Sequence, residues 1–126
     1  EALNYINKLG LNNIQEYEKE LTEYLFDKLQ SIKDLHIIGP NPNQDSKRAS
    51  LASFFIKDIH SNDIAEILDS KGICIRSGHH CCQPLHNYLN INSTARASMN
   101  FTTTKEEIDI FIEKLEETIS FLKFNS

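Results

Sequence analysis

The chain has 126 residues, 40% hydrophobic and 25% charged, ordinary values for one soluble globular domain with one core. Its net charge of −5 argues against non-specific binding to nucleic acid or to an anionic membrane. No apolar run approaches the roughly 20 residues that span a bilayer, and Glu1 to Asn4 lack the layout of a secretory signal.

Leu3 and Ile6 start an apolar stripe that breaks at Gly10. A second stripe, Ile14, Tyr17, Leu21, Leu25 and Ile32, has helical spacing, with Asn13 and Glu16 as a capping pair at its start. Leu35 to Ile38, closed by Gly39-Pro40, predicts a strand and a turn. Asn41 to Arg48 is polar and reads as a mobile loop. Leu51 to Ile56 predicts a second, largely buried strand. Ser61 is placed to cap a helix carrying Ile64, Ile67 and Leu68 that ends at Gly72. Ile73-Cys74-Ile75 reads as a third short strand, Leu85 to Leu89 as a short helix, and Ala95 to Phe101 as a fourth strand. Thr104 and Glu107 form a capping box before a final helix with the stripe Ile108, Phe111, Ile112, Leu115, Ile119 and Leu122. The expected fold is α+β: a small, largely antiparallel sheet of three or four strands with helices packed on one face. Four glycines, spread over Gly10, Gly39, Gly72 and Gly78, assemble neither a dinucleotide fingerprint nor a phosphate-binding loop.

Chemistry concentrates between Arg76 and Pro84, where His79-His80-Cys81-Cys82 follow Gly78 on an expected loop. The cysteines Cys74, Cys81 and Cys82 are odd in number and crowded, which argues against a disulfide framework and favours a reducing compartment. A buried structural thiol is the simplest account of Cys74 within its strand. Cys81 and Cys82 have polar neighbours, and a zinc site there has the wrong spacing, because structural zinc uses ligand pairs separated by roughly two to four residues. Help for such a site would have to come from His36, His60 or His86. A nucleophilic thiol, with adjacent imidazoles and Arg76 to stabilise a thiolate, is the reading that spacing favours, and spacing leaves the substrate open. Arg96, between Ala95 and Ala97, has room to act as a planar fork on a carboxylate. Asn100 and Thr102 lie nearby without an assigned role.

The string Gly72-Ile73-Cys74-Ile75-Arg76-Ser77-Gly78-His79-His80-Cys81, with Gln83-Pro84-Leu85-His86 and Ala95-Arg96-Ala97-Ser98 downstream, resembles the C-terminal segment of Suf-type cysteine desulfurases. The plastid-type and cyanobacterial members are the most similar. These are pyridoxal-phosphate enzymes of the class-V aminotransferase group. Gln15-Glu16-Tyr17-Glu18, Gly39-Pro40, the Asp63-to-Asp69 helix and the final helix extend the resemblance along the whole chain.

The resemblance implies conversion of L-cysteine to L-alanine, with the cofactor as electron sink and a protein thiolate taking the substrate sulfur. It implies a persulfide on Cys81, passed to a SufE-like acceptor or Suf scaffold for iron–sulfur cluster assembly. Arg96 matches the arginine that holds the substrate carboxylate, and Arg76 one at the edge of the site. His79 and His80 are assigned to loop shape and local electrostatics. The motif cysteine is often followed by a small residue, whereas here Cys82 follows, which opens a vicinal disulfide or persulfide migration. Residues 1–126 are expected to be a single C-terminal domain, the small domain of a fold-type I enzyme. The lysine and the cofactor contacts would lie in a large domain upstream, so the isolated chain should not turn over cysteine. A homodimer, a plastid, apicoplast or bacterial cytoplasmic setting, and selenocysteine as an alternative substrate are further family expectations. A docking or sulfur-relay module without catalysis, and a metal-binding module, are the alternatives.

Overall fold

A computed structural model describes residues 1–44 and 48–124. Its elements, in chain order, are α1 (Ala2–Leu9), α2 (Leu11–Gln30), β1 (Leu35–Ile38), a 3₁₀ turn (Pro42–Gln44), β2 (Leu51–Ile56), α3 (Ser61–Ser70), β3 (Arg76–Gly78), α4 (Gln83–Leu89), β4 (Thr94–Ser98) and α5 (Lys105–Phe124). The strands form one antiparallel sheet in the order β1-β2-β4-β3. The α+β expectation is met.

Strand periodicity sorts the sheet into two faces. Ala52, Phe54 and Ile56 of β2, with Ala95 and Ala97 of β4, are buried on the inner face. The stripe of α2 (Leu21, Leu25, Phe26, Leu29), Ile64 and Leu68 of α3, and Ile108, Leu115 and Ile119 of α5 close over them as one core. The second strand thus alternates between buried and half-buried positions, with none exposed, in line with a largely buried strand. α1 buries none of its side chains, and its Tyr5 ring lies 6.4 Å from that of Phe101. No helix among the described residues is long and apolar enough to cross a membrane.

The capping box is present as expected: the Thr104 hydroxyl accepts from the Glu107 amide, and the Glu107 carboxylate accepts from the Thr104 amide. Other local expectations shift. Asn13 does not cap α2. Its amide donates back to the Leu9 carbonyl, and Gly10 at φ 85° makes the break between the helices. His60 caps α3, its Nδ1 accepting from the Asn62 amide, while the Ser61 hydroxyl donates to Ser93. Ile32 lies beyond the end of α2, yet is buried. Within the polar stretch, Pro42–Gln44 form a 3₁₀ turn and Arg48 is anchored, its guanidinium 4.2 Å from the Phe26 ring and donating to the Leu51 carbonyl. Residues 45–47 of that expected loop lie outside the described residues.

The expected strand Ile73–Ile75 is a connector, and the strand begins at Arg76. Left-handed Gly72 turns the chain so that the Ile73 amide closes back onto the Leu68 carbonyl, which delays sheet pairing by three residues. Cys74 is consequently exposed, not buried, and its thiol donates to Asp69 at 3.4 Å. That carboxylate raises the thiol's pKa above the ordinary value. The fourth strand is Thr94–Ser98 instead of Ala95 to Phe101, because the Asn100 side chain accepts from the amide and hydroxyl of Thr102 and folds the chain into a turn.

Candidate active site

One row of side chains crosses the outer face of the sheet. Ile38 pairs with Ser53, Ser53 with Arg96, and Arg96 with Arg76. The two guanidinium groups thus stand side by side on β4 and β3, Arg96 half-buried and Arg76 exposed. Among the described residues, neither has a hydrogen-bond or ion-pair partner. The salt bridges among the described residues all use lysines instead. An acidic protein has therefore gathered two unpaired cations on one face, which favours an anionic ligand there.

Between β3 and β4 the chain makes a tight turn and a short helix. His80 (φ 51°) and Cys81 (φ 57°) are consecutive left-handed residues, and the Cys82 amide closes the turn onto the His79 carbonyl at 2.8 Å. Positive φ at both central positions is the pattern of a type I′ turn, which Gly, Asn and Asp favour, which His tolerates and which is adverse for Cys81. Gly78, at φ 114°, leads into it. Nothing lies within 4 Å of where its Cβ would stand, so the torsion and not crowding calls for glycine. Cys81 is exposed at the crown of the turn. Cys82 is exposed at its foot, where α4 begins.

Histidines tie this turn to β4. His80 Nε2 lies 3.1 Å from the Thr94 carbonyl, which only accepts, so Nε2 carries the proton and Nδ1 the lone pair. His86 Nδ1 lies 2.9 Å from the Cys82 carbonyl and is a donor for the same reason. In the neutral ring its Nε2 then accepts from the Thr94 hydroxyl at 3.1 Å. Burial holds the His80 imidazole below the ordinary histidine pKa, opposed by its bond to the Thr94 carbonyl and helped by electrostatic repulsion, chiefly from Arg96. His79 meets His86 edge-on, with ring centroids 5.3 Å apart.

A cleft of about 290 Å³ lies on the outer face of the sheet, floored by Ser53, Thr94 and Arg96 and walled by α4 and His80. The short α4 thus lies over the face opposite the long helices. Cys82 borders this cleft, whereas Cys81 stands outside its lining. The turn, Arg96 and Arg76 are therefore brought to one face of one sheet. His79 lies above His86 and is exposed. In the sequence, His86 stands out only as a motif position and a possible further zinc ligand, and Thr94 not at all. A histidine among Leu85 and Leu89 on a short helix, and a threonine two residues before Arg96 on the same strand face, are the signals that mark them. Among the described residues, no group of three or more His, Cys, Asp or Glu side chains is arranged to hold a metal ion.

The profile described as Aminotransferase class-V matches residues 1–111. The chain belongs to the class-V aminotransferase family. Within that family it is 49% identical over 120 residues to a probable cysteine desulfurase of Synechocystis, covering 95% of this chain and 28% of that protein. A probable cysteine desulfurase of Staphylococcus epidermidis is 42% identical over 124 residues, covering 98% of this chain and 29% of its relative. The solved cysteine desulfurase of Thermococcus onnurineus superposes with a TM-score of 0.84 at 35% identity, over 93% of this chain and 28% of that one. The Escherichia coli cysteine desulfurase CsdA, solved as an S-sulfonic acid, gives the same TM-score at 23% identity over 95% of this chain and 29% of that one, a likeness of fold alone. The chain thus spans less than a third of the length of the relatives it matches.

Proposed function

We propose that this chain is the small C-terminal domain of a cysteine desulfurase and carries its sulfur-accepting thiol and its carboxylate clamp. The observation that supports this most is the row that sets Arg96 beside Arg76, unpaired, next to the cysteine-bearing turn. Arg96 holds the substrate carboxylate, and Arg76 strengthens the positive field at the edge of the site. Cys81, at the exposed crown, takes the substrate sulfur as a persulfide, and L-alanine is the carbon product. His80 and His86, through Thr94, hold the crown at the sheet end. The neutral His80 ring leaves the positive charge of the site to the arginines.

The cleft itself does not fit pyridoxal phosphate, since no lysine lines it to carry a Schiff base. The cystine C-S lyase C-DES, solved with glycine covalently linked to its pyridoxal-phosphate cofactor, shares this fold at 20% identity. The proposal assigns the cofactor, as electron sink, to a part of the protein outside residues 1–126. The chain alone is accordingly expected to be inactive. The 49% identity to the cyanobacterial relative supports the Suf-type, cyanobacterial or plastid lineage within this reading. A SufE-like or scaffold acceptor, a homodimer, a plastid, apicoplast or bacterial cytoplasmic location, and activity on selenocysteine follow from that lineage.

The test uses the full-length protein with L-cysteine. Alanine and a trapped persulfide should form in the parent, and Cys81→Ser should abolish both while substrate binding persists. Persulfide formed by Cys81→Ser at the parent rate would show that Cys81 is not the acceptor.

A further inference from the structure

We propose that Cys82 is a second sulfur carrier, to which the sulfane sulfur moves from Cys81 within one turn. The inference rests on the desulfurase reading above, because it needs a persulfide on Cys81. Both thiols are exposed, and they are joined by one trans peptide at the junction of the turn and α4. Adjacent Cα atoms across a trans peptide lie about 3.8 Å apart, short of the roughly 4.4–6.8 Å usual for a disulfide, so direct closure of a Cys81–Cys82 bond is strained.

A persulfide removes that obstacle. The attacked atom is the outer sulfur, and an in-line S–S–S arrangement separates the two Sγ atoms by roughly two S–S lengths, about 4 Å. The Cys82 thiolate attacks the outer sulfur, the Cys82 Sγ–S bond forms and the Cys81 Sγ–S bond breaks. Cys81 leaves as a thiolate and takes up the proton that Cys82 gave up. One disulfide-type bond replaces another, so no oxidant or reductant is consumed.

The two positions differ in surroundings. Cys81 stands at the crown, outside the lining of the cleft, whereas Cys82 borders the cleft floored by Arg96. A persulfide is anionic when ionised, and Arg96 has no anionic partner of its own among the described residues. Transfer to Cys82 therefore moves the sulfur to the border of a cleft that holds an uncompensated cation, a parked position distinct from that on Cys81, which lies outside the cleft.

The test is residue-level mapping of persulfide in the full-length protein, loaded with L-cysteine, quenched within seconds by an alkylating agent, digested and sequenced by mass spectrometry. The expected result is trapped persulfide on both Cys81 and Cys82 in the parent, on Cys81 alone in Cys82→Ser, and on neither in Cys81→Ser. The partition should not change with protein concentration, since the transfer is internal to one chain. Persulfide confined to Cys81 in the parent overturns the relay and leaves the desulfurase reading standing. A partition that rises with protein concentration, or loss of both thiols to a disulfide with release of sulfide, also overturns it. Absence of persulfide from both cysteines overturns the desulfurase reading and the relay with it.

Discussion

Arg96 is a half-buried cation in the middle of a strand, with Arg76 as its cross-strand neighbour and no acid beside it among the described residues. A guanidinium left in that state loses solvation without gaining a partner, and a ligand carboxylate restores the balance. In the full-length enzyme, Arg96→Ala is expected to weaken substrate binding by about 2–5 kcal/mol, the usual cost of removing one member of a desolvated charge pair. Steady-state kinetics should show this as a raised KM. An unchanged KM would mean that Arg96 does not clamp the substrate. At the same scale, Cys74 shows what sequence alone misjudges. Its neighbours Ile73 and Ile75 make it look buried, but burial depends on which way an unpaired connector turns, and Gly72 turns the thiol out towards Asp69.

The long elements were legible because their signals are redundant. The apolar stripe of α5 and its reciprocal Thr104–Glu107 cap point to the same start and the same buried face. Thr104→Ala should therefore cost about 1 kcal/mol, read as a lowered Tm, by removing one of the two reciprocal bonds. The short elements carry weaker signals. The edge strand β3 has three residues, too few for alternation to appear, and its limits are set by the register of β4. Where Asn13, Ser61 and His60 compete for helix starts, the cap depends on where neighbouring elements place the chain. Ser61 is taken up by Ser93 at 2.6 Å, and His60 caps in its place. Of the candidate site, the residue types were readable from the motif. The histidine bridges through Thr94 were not, since they join positions fourteen and eight residues apart in the chain.

Over the whole molecule, charge ties the helices together outside the core. Glu117 of α5 accepts from Lys71, at the end of α3, and from Lys114. These cations lower its pKa from 4.5 to about 2. A carboxylate held low adds stability above its unfolded pKa, and that contribution fades as pH falls from 4.5 towards 2. His80 acts in the same direction at higher pH. The folded state resists its protonation, so stability is full above the ordinary 6.5 and declines as pH falls through that value. Acid titration of Tm should show two falling stages. His80→Asn, which tolerates the left-handed backbone, should remove the upper stage, and Glu117→Gln should shrink the lower, of which Asp34 and Asp109, also held below the ordinary carboxylate value, keep a part. A Tm that is flat between neutral pH and the carboxylate range would contradict the assignment of His80.

The facing pair Arg76 and Arg96 has one more consequence. Like charges directly opposite each other weaken a strand pair, and β3 is held to the sheet by β4 alone. Any carboxylate that settles between them turns a repulsion into a bridge across the two strands. Ligand occupancy and edge pairing are then thermodynamically linked, so the amides of β3 should exchange with solvent deuterium more slowly in the presence of a carboxylate substrate than in its absence.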